Sequence, residues 1–184
     1  HFATINPDDL LLLDVDDDRT MLGDNAPDPS AWAVHGTLHR EIPAARVILH
    51  CHSPYATALA SLKDPTLLPI DNNTARFWGR VGYDLEFGGI SDSAEEGAHL
   101  AQAMGNNTVL VMLNHGITVT GPTVAEAFED LYFFEKAART QILALSSGKP
   151  LAVLSDDVAE ATAEGWKAYR GMAQRHFEYL KSTL

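Results

Sequence analysis

The chain of 184 residues carries 25 acidic and 13 basic residues, which gives a formal charge of −12 at pH 7. It has no lysine- or arginine-rich stretch, so we expect neither a nucleic acid nor an anionic membrane as its partner. No apolar run approaches the roughly 20 residues that span a bilayer, and its single cysteine cannot form an internal disulfide. We therefore expect a globular protein of the cytoplasm with a core sized for one domain.

The N-terminal segment predicts a buried strand followed by a solvated turn. The first four residues contain neither an initiator methionine nor a helix cap, so we expect one domain over residues 1–184 that lacks its N-terminal segment. Residues 10–15 are almost wholly apolar, which predicts a strand buried on both faces. The aspartates at 16–18 lack the glycine and distal glutamate of a calcium loop, so we interpret them as a turn.

A helix is predicted from the N-cap Ser30 to about Glu41. It carries two histidines, His35 and His39, at positions i and i+4, which places both on one face. Such a pair can bind a metal, but on a short amphipathic helix it more often forms a polar surface. We take His35 as a candidate to line a site and His39 as a surface residue.

The next strand carries two histidines that are separated by one residue. An apolar run leads directly into His50, Cys51 and His52. Because side chains alternate between the faces of a strand, His50 and His52 project to one side, roughly 6–7 Å apart. Two imidazoles at this spacing can bind one ion at about 2.0–2.1 Å each. Cys51 is expected to point into the core on the opposite face.

A third histidine, His115, ends a second apolar run that begins at Val109 and is followed by Gly116. Two strands that both end in histidine favour a three-imidazole metal site at one edge of a sheet. A lone histidine at a strand end is more often a hydrogen-bonded structural residue. The His-x-His pair and His115 together make metal binding the stronger interpretation.

The rest of the chain is predicted to be mainly helical. Helices are expected over residues 54–62 and 91–104, and a final helix over 156–182. A long helix is opened by the Thr123–Glu126 capping box and stopped by Gly148. Arg76 and Arg80 lie among aromatic residues, where they either hold an acidic substrate or stack at a subunit contact.

Four motifs carry a resemblance to a known family: DPSAWAVH at 28–35, HCHSP at 50–54, RVGY at 80–83 and NHGI at 114–117. From about residue 5 to 150 the chain resembles the class II aldolase/adducin family, and its adducin-like branch in particular. The resemblance implies an α/β fold, a three-layer α/β/α sandwich around a mostly antiparallel sheet. It also implies a homotetramer with sites between subunits. There His50, His52 and His115 would hold a divalent metal, zinc in the first place and manganese or iron as alternatives.

The departures from the family pattern bear on the reaction. The sugar-phosphate aldolases of this family carry a proton-transferring glutamate where this chain has Ala31, and Phe77 stands where a neighbouring subunit would supply a tyrosine. Other groups must then act on the substrate. Arg76 or Arg80 is a candidate to bind a substrate carboxylate. Tyr83, or the C-terminal His176 and Tyr179, are candidate proton donors that could act across a subunit boundary.

These features predict a metal-dependent carbon–carbon lyase, of decarboxylase or aldolase type, that acts on a small oxo-, hydroxy- or aromatic acid. The first alternative is a non-catalytic, adducin-like interaction protein, because animal adducins retain comparable histidines. The second is a non-haem iron oxygenase, although three neutral imidazoles lack the carboxylate of the usual facial triad.

Overall fold

The computed structural model describes residues 4–24, 26–89 and 94–184. Its four strands are β1 (Val47–Cys51), β2 (Val81–Asp84), β3 (Val109–Met112) and β4 (Gly116–Gly121). Its helices are α1 (Pro29–Glu41), α2 (Pro54–Ala60), α3 (Asn72–Ala75), α4 (Ala94–Met104), α5 (Val124–Ser146), α6 (Asp156–Lys167) and α7 (Met172–Lys181). Before α1, the described residues form 3-10 helices at Pro7–Asp9 and Asp18–Met21.

The strands form one mixed sheet in the order β1-β4-β3-β2. The β1–β4 and β4–β3 pairs are antiparallel and the β3–β2 pair is parallel. A parallel pair needs a crossover connection, and α4 lies in the chain between β2 and β3. The mostly antiparallel sheet that the sequence predicts is therefore confirmed.

Helices cover both faces of the sheet and form the predicted three-layer α/β/α sandwich. Side chains alternate along each strand, so β3 sends Val109 and Val111 to one face and Leu110 and Met112 to the other. The first pair packs with α2 and α5 in a core that includes Phe134. The second pair packs with α1 and α4. Among the described residues, no helix is both long and apolar enough to cross a bilayer.

The prediction of a buried strand over residues 10–15 is wrong. The segment contains no strand, and Leu10, Leu11 and Leu12 are 72%, 51% and 100% exposed. A strand needs a neighbour for its backbone hydrogen bonds, and within the described residues none of the four strands pairs with this segment. The apolar composition of residues 10–15 predicted a buried strand, but in the described part of the chain the segment has no strand to pair with and its first three leucines are exposed.

Smaller differences concern where elements begin and end. Asp28, not Ser30, caps α1, because its carboxylate accepts hydrogen bonds from the N–H groups of Ser30 and Ala31. The predicted final helix over 156–182 is two helices, α6 and α7, with a turn between them that carries Arg170. Part of the helix predicted over 91–104, residues 91–93, lies outside the described residues. The stop at Gly148 is confirmed by its φ of 66°.

Candidate metal centre

The three histidines of the predicted site lie together where β1 ends and β3 turns into β4. His50 is in β1, His52 follows β1 directly, and His115 lies in the turn before β4. Antiparallel pairing of Cys51 with Ile117 brings the two segments side by side. The chain therefore gathers ligands that are 63 residues apart in sequence through ordinary strand pairing.

The turn that carries His115 depends on its two neighbours. Asn114 has a φ of 57°, a left-handed conformation that asparagine adopts more readily than most residues. Gly116 lies against β1 so closely that an added Cβ would be 2.6 Å from the Cys51 carbonyl oxygen and 2.7 Å from His52 Cδ2. The Asn-His-Gly sequence thus provides the turn, the ligand and the close approach in three consecutive residues.

The distances between the three rings fit one shared ion. The Nε2 atoms of His50 and His52 are 3.1 Å apart, and each histidine offers a nitrogen within 4.8 Å of the others. Two nitrogens bound to one tetrahedral zinc ion at about 2.0–2.1 Å would be about 3.3 Å apart. The His50–His52 spacing therefore matches a shared divalent ion, and His115 offers a third nitrogen, although any pair near the 4.8 Å limit would have to close to about 4 Å on binding.

The electrostatics of the site favour neutral imidazoles, which is the form that binds metal. Burial, and then the nearby rings of His115 and His52, lower the pKa of His50 to about 4. Burial also lowers the pKa of His115, which the Asp84 carboxylate partly offsets. Thr118 Oγ1 lies 3.1 Å from His50 Nδ1 and fixes the ring so that Nε2 faces the centre of the cluster.

A pocket of about 440 Å³ opens beside the three rings. One wall is apolar and comes mainly from α1, α4 and the end of β3, including Val34, Leu100 and Met112. His35 also lines this pocket, as the sequence predicts, whereas His39 lies outside it and its Nδ1 is 2.9 Å from the Ala45 carbonyl oxygen. The site can therefore admit a small organic molecule next to the histidines.

Asp84, at the end of β2, is a buried carboxylate of this pocket that the sequence analysis missed. It is 4% exposed, and its Oδ1 accepts a hydrogen bond from His99 Nε2 at 2.9 Å and from the Glu86 N–H at 3.1 Å. The strand alternation in β2 could have identified it, because Asp84 and Gly82 point to the α4 face and Tyr83 to the other.

The catalytic candidate Tyr83 therefore faces away from the histidine pocket. It packs against the core beneath α2 and α5, and its hydroxyl accepts a hydrogen bond from the Leu67 N–H at 3.0 Å. Burial raises the pKa of this phenol. Within the described chain Tyr83 does not line the pocket.

Arg76, the candidate for binding a carboxylate, is held inside the same chain. It is 3% exposed, lies 2.9 Å from Glu129 Oε2 and 3.6 Å from Asp130 Oδ1, and sits over the Phe133 and Trp166 rings. Asp130 also accepts hydrogen bonds from Arg80 and Arg170. Because Arg170 lies between α6 and α7, its pair with Asp130 attaches these C-terminal helices to α5. Arg76 therefore occupies a structural ion-pair network on the face opposite the histidines.

The third candidate, His176, lies in α7 on that opposite face as well. Its ring contacts Tyr132 edge to face, with ring centroids 4.9 Å apart, and its Nδ1 is buried without a hydrogen-bond partner among the described residues. It lines a separate cavity of about 460 Å³ beneath α6 and α7. The structure thus brings together His50, His52 and His115 and leaves Arg76, Tyr83 and His176 apart from them.

A glutamate from α5 holds the helix that follows the His-Cys-His segment. Glu135 accepts hydrogen bonds from the Ser53 hydroxyl at 2.7 Å, the Tyr55 N–H at 3.0 Å and the Ala56 N–H at 2.8 Å. Ser53 is the N-cap of α2 but makes no side-chain cap. Glu135 therefore caps α2 from another helix, one residue beyond His52.

The fold and the site together define an α/β/α sandwich protein with a cluster of three histidines, of a kind that could hold a metal ion, at one edge of its sheet. Residues 1–142 match the family model described as the class II aldolase and adducin N-terminal domain. Because this match covers most of the 184 residues, the chain belongs to the class II aldolase and adducin family. The resemblance seen in the sequence motifs is confirmed.

Proteins of different kinds are similar to this chain in sequence. The chain is 25% identical over 176 residues to "Decarboxylase NovR" of Streptomyces niveus, covering 92% of this chain and 64% of that protein. It is 32% identical over 121 residues to human beta-adducin, covering 65% of this chain and 16% of that protein. The chain thus spans less than two thirds of the length of these curated relatives. The structure of an aldolase II superfamily protein from Pseudomonas syringae superposes with a TM-score of 0.79 at 30% identity, covering 93% of this chain and 69% of that one.

Proposed function

We propose that this chain is the metal-dependent carbon–carbon lyase domain of a decarboxylase or a non-sugar-phosphate aldolase, acting on a small oxo-, hydroxy- or aromatic acid. The observation that carries the proposal is the group of three imidazoles beside an open pocket of about 440 Å³. Zinc is the proposed ion, with manganese and iron as alternatives. A cytoplasmic homotetramer is the proposed state of the protein.

The bound ion would polarise a substrate oxygen and stabilise the negative charge that develops as the carbon–carbon bond breaks. The chain's own residues do the rest. His50, fixed by Thr118, and His52 and His115 would hold the ion at the pocket floor. The apolar wall that includes Val34 would orient the carbon skeleton and exclude water from it.

The charges of the pocket support an acid held by the ion rather than a sugar phosphate. Among the described lining residues the charged side chains are Asp84 and Glu86, and no lysine or arginine is present. A phosphate dianion would find no cationic side chain there, whereas a single carboxylate can be neutralised by the ion itself. The decarboxylase name of one relative is consistent with this preference.

Metal analysis of purified protein tests the first half of the proposal. We expect about one divalent ion per chain, lost in a His50→Ala/His52→Ala variant and retained in His39→Ala, which removes a histidine outside the cluster. A folded protein without stoichiometric metal would favour the adducin-like interaction protein. Iron as the purified metal, with oxygen uptake in the presence of an aromatic oxo acid, would favour the oxygenase.

A substrate screen tests the second half. The metal-loaded protein is incubated with oxo acids, hydroxy acids, aromatic acids and sugar phosphates, and carbon dioxide or aldehyde release is measured. We expect release from an acid and none from the sugar phosphates. Efficient cleavage of a sugar phosphate such as fuculose phosphate would contradict the proposed substrate class.

Within this proposal Tyr83 and His176 act only if a neighbouring subunit brings them to the pocket, since both lie on the other face of their own chain. Arg76 would have to leave its ion pairs to bind substrate. Tyr83→Phe tests this first, because wild-type activity in that variant would exclude the Tyr83 hydroxyl from the reaction. If the variant is inactive, its subunits are mixed with inactive His50→Ala subunits. Recovered activity in the mixed oligomer supports a shared site, and its absence limits the site to one chain.

A further inference from the structure

We propose that Asp84 is the catalytic residue that carries protons to and from the substrate carbon in the histidine pocket, and that His99 is its positioning residue. This inference rests on the proposed function, because it assigns the proton transfer that a carbon–carbon lyase requires.

The hydrogen bonds of Asp84 leave one carboxylate oxygen available. Both donors, His99 Nε2 and the Glu86 N–H, bind to Oδ1. Oδ2 has no hydrogen-bond partner among the described residues. Oδ2 is not among the buried side-chain atoms that lack a partner, so it remains accessible from the pocket although the residue as a whole is only 4% exposed. One oxygen anchored by two donors and the other unpaired, at the wall of a pocket, is the arrangement expected of a group that binds a proton of the ligand.

The neighbouring groups are less suited to this task. Glu86 lines the same pocket but is exposed, and its side chain makes no hydrogen bond within the described chain, so nothing fixes its orientation. The Ser30 hydroxyl donates to the Asp28 carboxylate, and Ala31 offers only a methyl group. His35 is the remaining titratable group besides the metal-binding histidines, and it lies on the α1 wall.

Asp84 can transfer a proton to the substrate carbon or take one from it. In decarboxylation the bond between the substrate carbon and its carboxylate breaks, carbon dioxide leaves, and the electron pair stays on the carbon. The protonated Asp84 carboxyl then gives its proton to that carbon and is reprotonated by water. In the reverse sense, Asp84 Oδ2 takes a proton from a carbon next to a carbonyl, the C–H pair forms a carbon–carbon double bond, and the carbonyl π pair moves to oxygen.

The reverse sense gives an assay that needs no natural substrate. Pyruvate, a small oxo acid, is incubated in D₂O with the zinc-loaded protein, and loss of its methyl proton signal is followed by NMR against free zinc. We expect the wild-type protein to accelerate the exchange and Asp84→Asn to slow it by about 100-fold, the low end of general acid–base effects. The amide oxygen that this substitution introduces can still accept both hydrogen bonds, so zinc content should not change. Glu160→Gln, the same carboxylate-to-amide change at an exposed position of α6, should exchange at the wild-type rate.

The outcomes separate this inference from the proposed function. If wild-type protein binds zinc but exchanges no pyruvate protons, the role of Asp84 falls; the proposed function falls with it only if the acid screen also shows no release of carbon dioxide or aldehyde. If exchange survives in Asp84→Asn, or is lost instead in Glu86→Gln or His35→Gln, only the role of Asp84 falls.

A second readout concerns His99 and uses the metal-free protein. The His99 Nε2–H that donates to Asp84 should give a ring ¹⁵N signal that moves in Asp84→Asn; an unchanged signal would refute the pair. In the zinc-loaded protein, His99→Ala should slow exchange by about tenfold and His99→Gln, which retains a donor, should restore most of it. These two variants decide the question if Asp84→Asn does not fold.

Discussion

Glu135 offers a sharp test of how the fold holds the histidines in place. Its carboxylate accepts three hydrogen bonds from residues 53–56, directly after His52. The Ser53 side chain does not cap α2 itself, so Glu135 supplies what the N-terminus of this helix lacks. Replacing Glu135 with glutamine keeps the size of the side chain but exchanges one acceptor oxygen for an NH₂ group.

The magnitude follows from the number of bonds. Oε2 accepts from the Ser53 hydroxyl and the Ala56 N–H, and Oε1 accepts from the Tyr55 N–H. Glutamine keeps only one acceptor oxygen, so at least one of the two N–H groups loses its acceptor. The remaining donors then bind a neutral amide oxygen in place of a carboxylate. Hydrogen bonds to charged groups contribute about 1.5–3 kcal/mol each, and we therefore expect Glu135→Gln to lower the free energy of unfolding by about 2–4 kcal/mol.

The same substitution should weaken metal binding, because the turn that it loosens begins at His52. Changes to residues that orient a ligand typically cost about 10- to 100-fold in affinity. Urea denaturation of the metal-free protein gives the stability, and competition with a chelator gives the zinc affinity. Glu160→Gln, on an exposed position of α6, is the control and should change neither. A destabilised Glu135→Gln protein with wild-type zinc affinity would refute the positioning role.

Two further predictions concern the same edge of the sheet. Gly116→Ala would place a Cβ 2.6 Å from the Cys51 carbonyl oxygen and 2.7 Å from His52 Cδ2. We therefore expect the free energy of unfolding to fall by about 1–3 kcal/mol and the metal content to fall with it. Gly165→Ala is the control, because open space surrounds Gly165 and the substitution should not destabilise α6. In the metal-free protein the pKa of His50 is about 4, mainly because of burial, against about 6.5 in the unfolded chain. Between pH 6.5 and pH 4 the His50 side chain is protonated in the unfolded chain but not in the folded one. The contribution of neutral His50 to the free energy of unfolding is therefore fully present above about pH 6.5, and it is lost toward pH 4 by at most about 3 kcal/mol. Denaturation at stepped pH measures this slope. Burial also lowers the pKa of His115 and His35, so a shallower slope should remain in His50→Gln; a slope as steep as that of the wild type would contradict the assignment to His50.

The clustering of the three histidines could be predicted from the sequence because the signals for it are local. Alternation along β1 puts His50 and His52 on one face and Cys51 on the other, as the structure has them. Asn114 and Gly116 frame His115 with the residue types that a tight turn and a close approach require. Each of these inferences needs only residues within two or three positions of each other.

The environment of Arg76 could not be predicted in this way. Its partner Glu129 is 53 residues away, on a helix whose rotation about its axis is decided by the packing of the whole core. An arginine among aromatic residues looks the same in sequence whether it awaits a ligand or is already paired. The exposed leucines at 10–12 illustrate the same limit, because the presence of a neighbouring strand is not a local property.

Strand register is what connects these local signals to a working site. A slip of β1 by one residue against β4 would turn His50 and His52 into the core and bring Cys51 to the pocket. Two contacts oppose that slip: Thr118 Oγ1 at His50 Nδ1, and Gly116 against the Cys51 backbone. Since β2 pairs in parallel with β3, the same sheet edge also receives Asp84 opposite Met112. The three histidines and the proposed proton carrier therefore converge because three strand ends meet at one edge of the sheet. A substitution that shifts the register between any two of these strands should impair metal binding and proton exchange together.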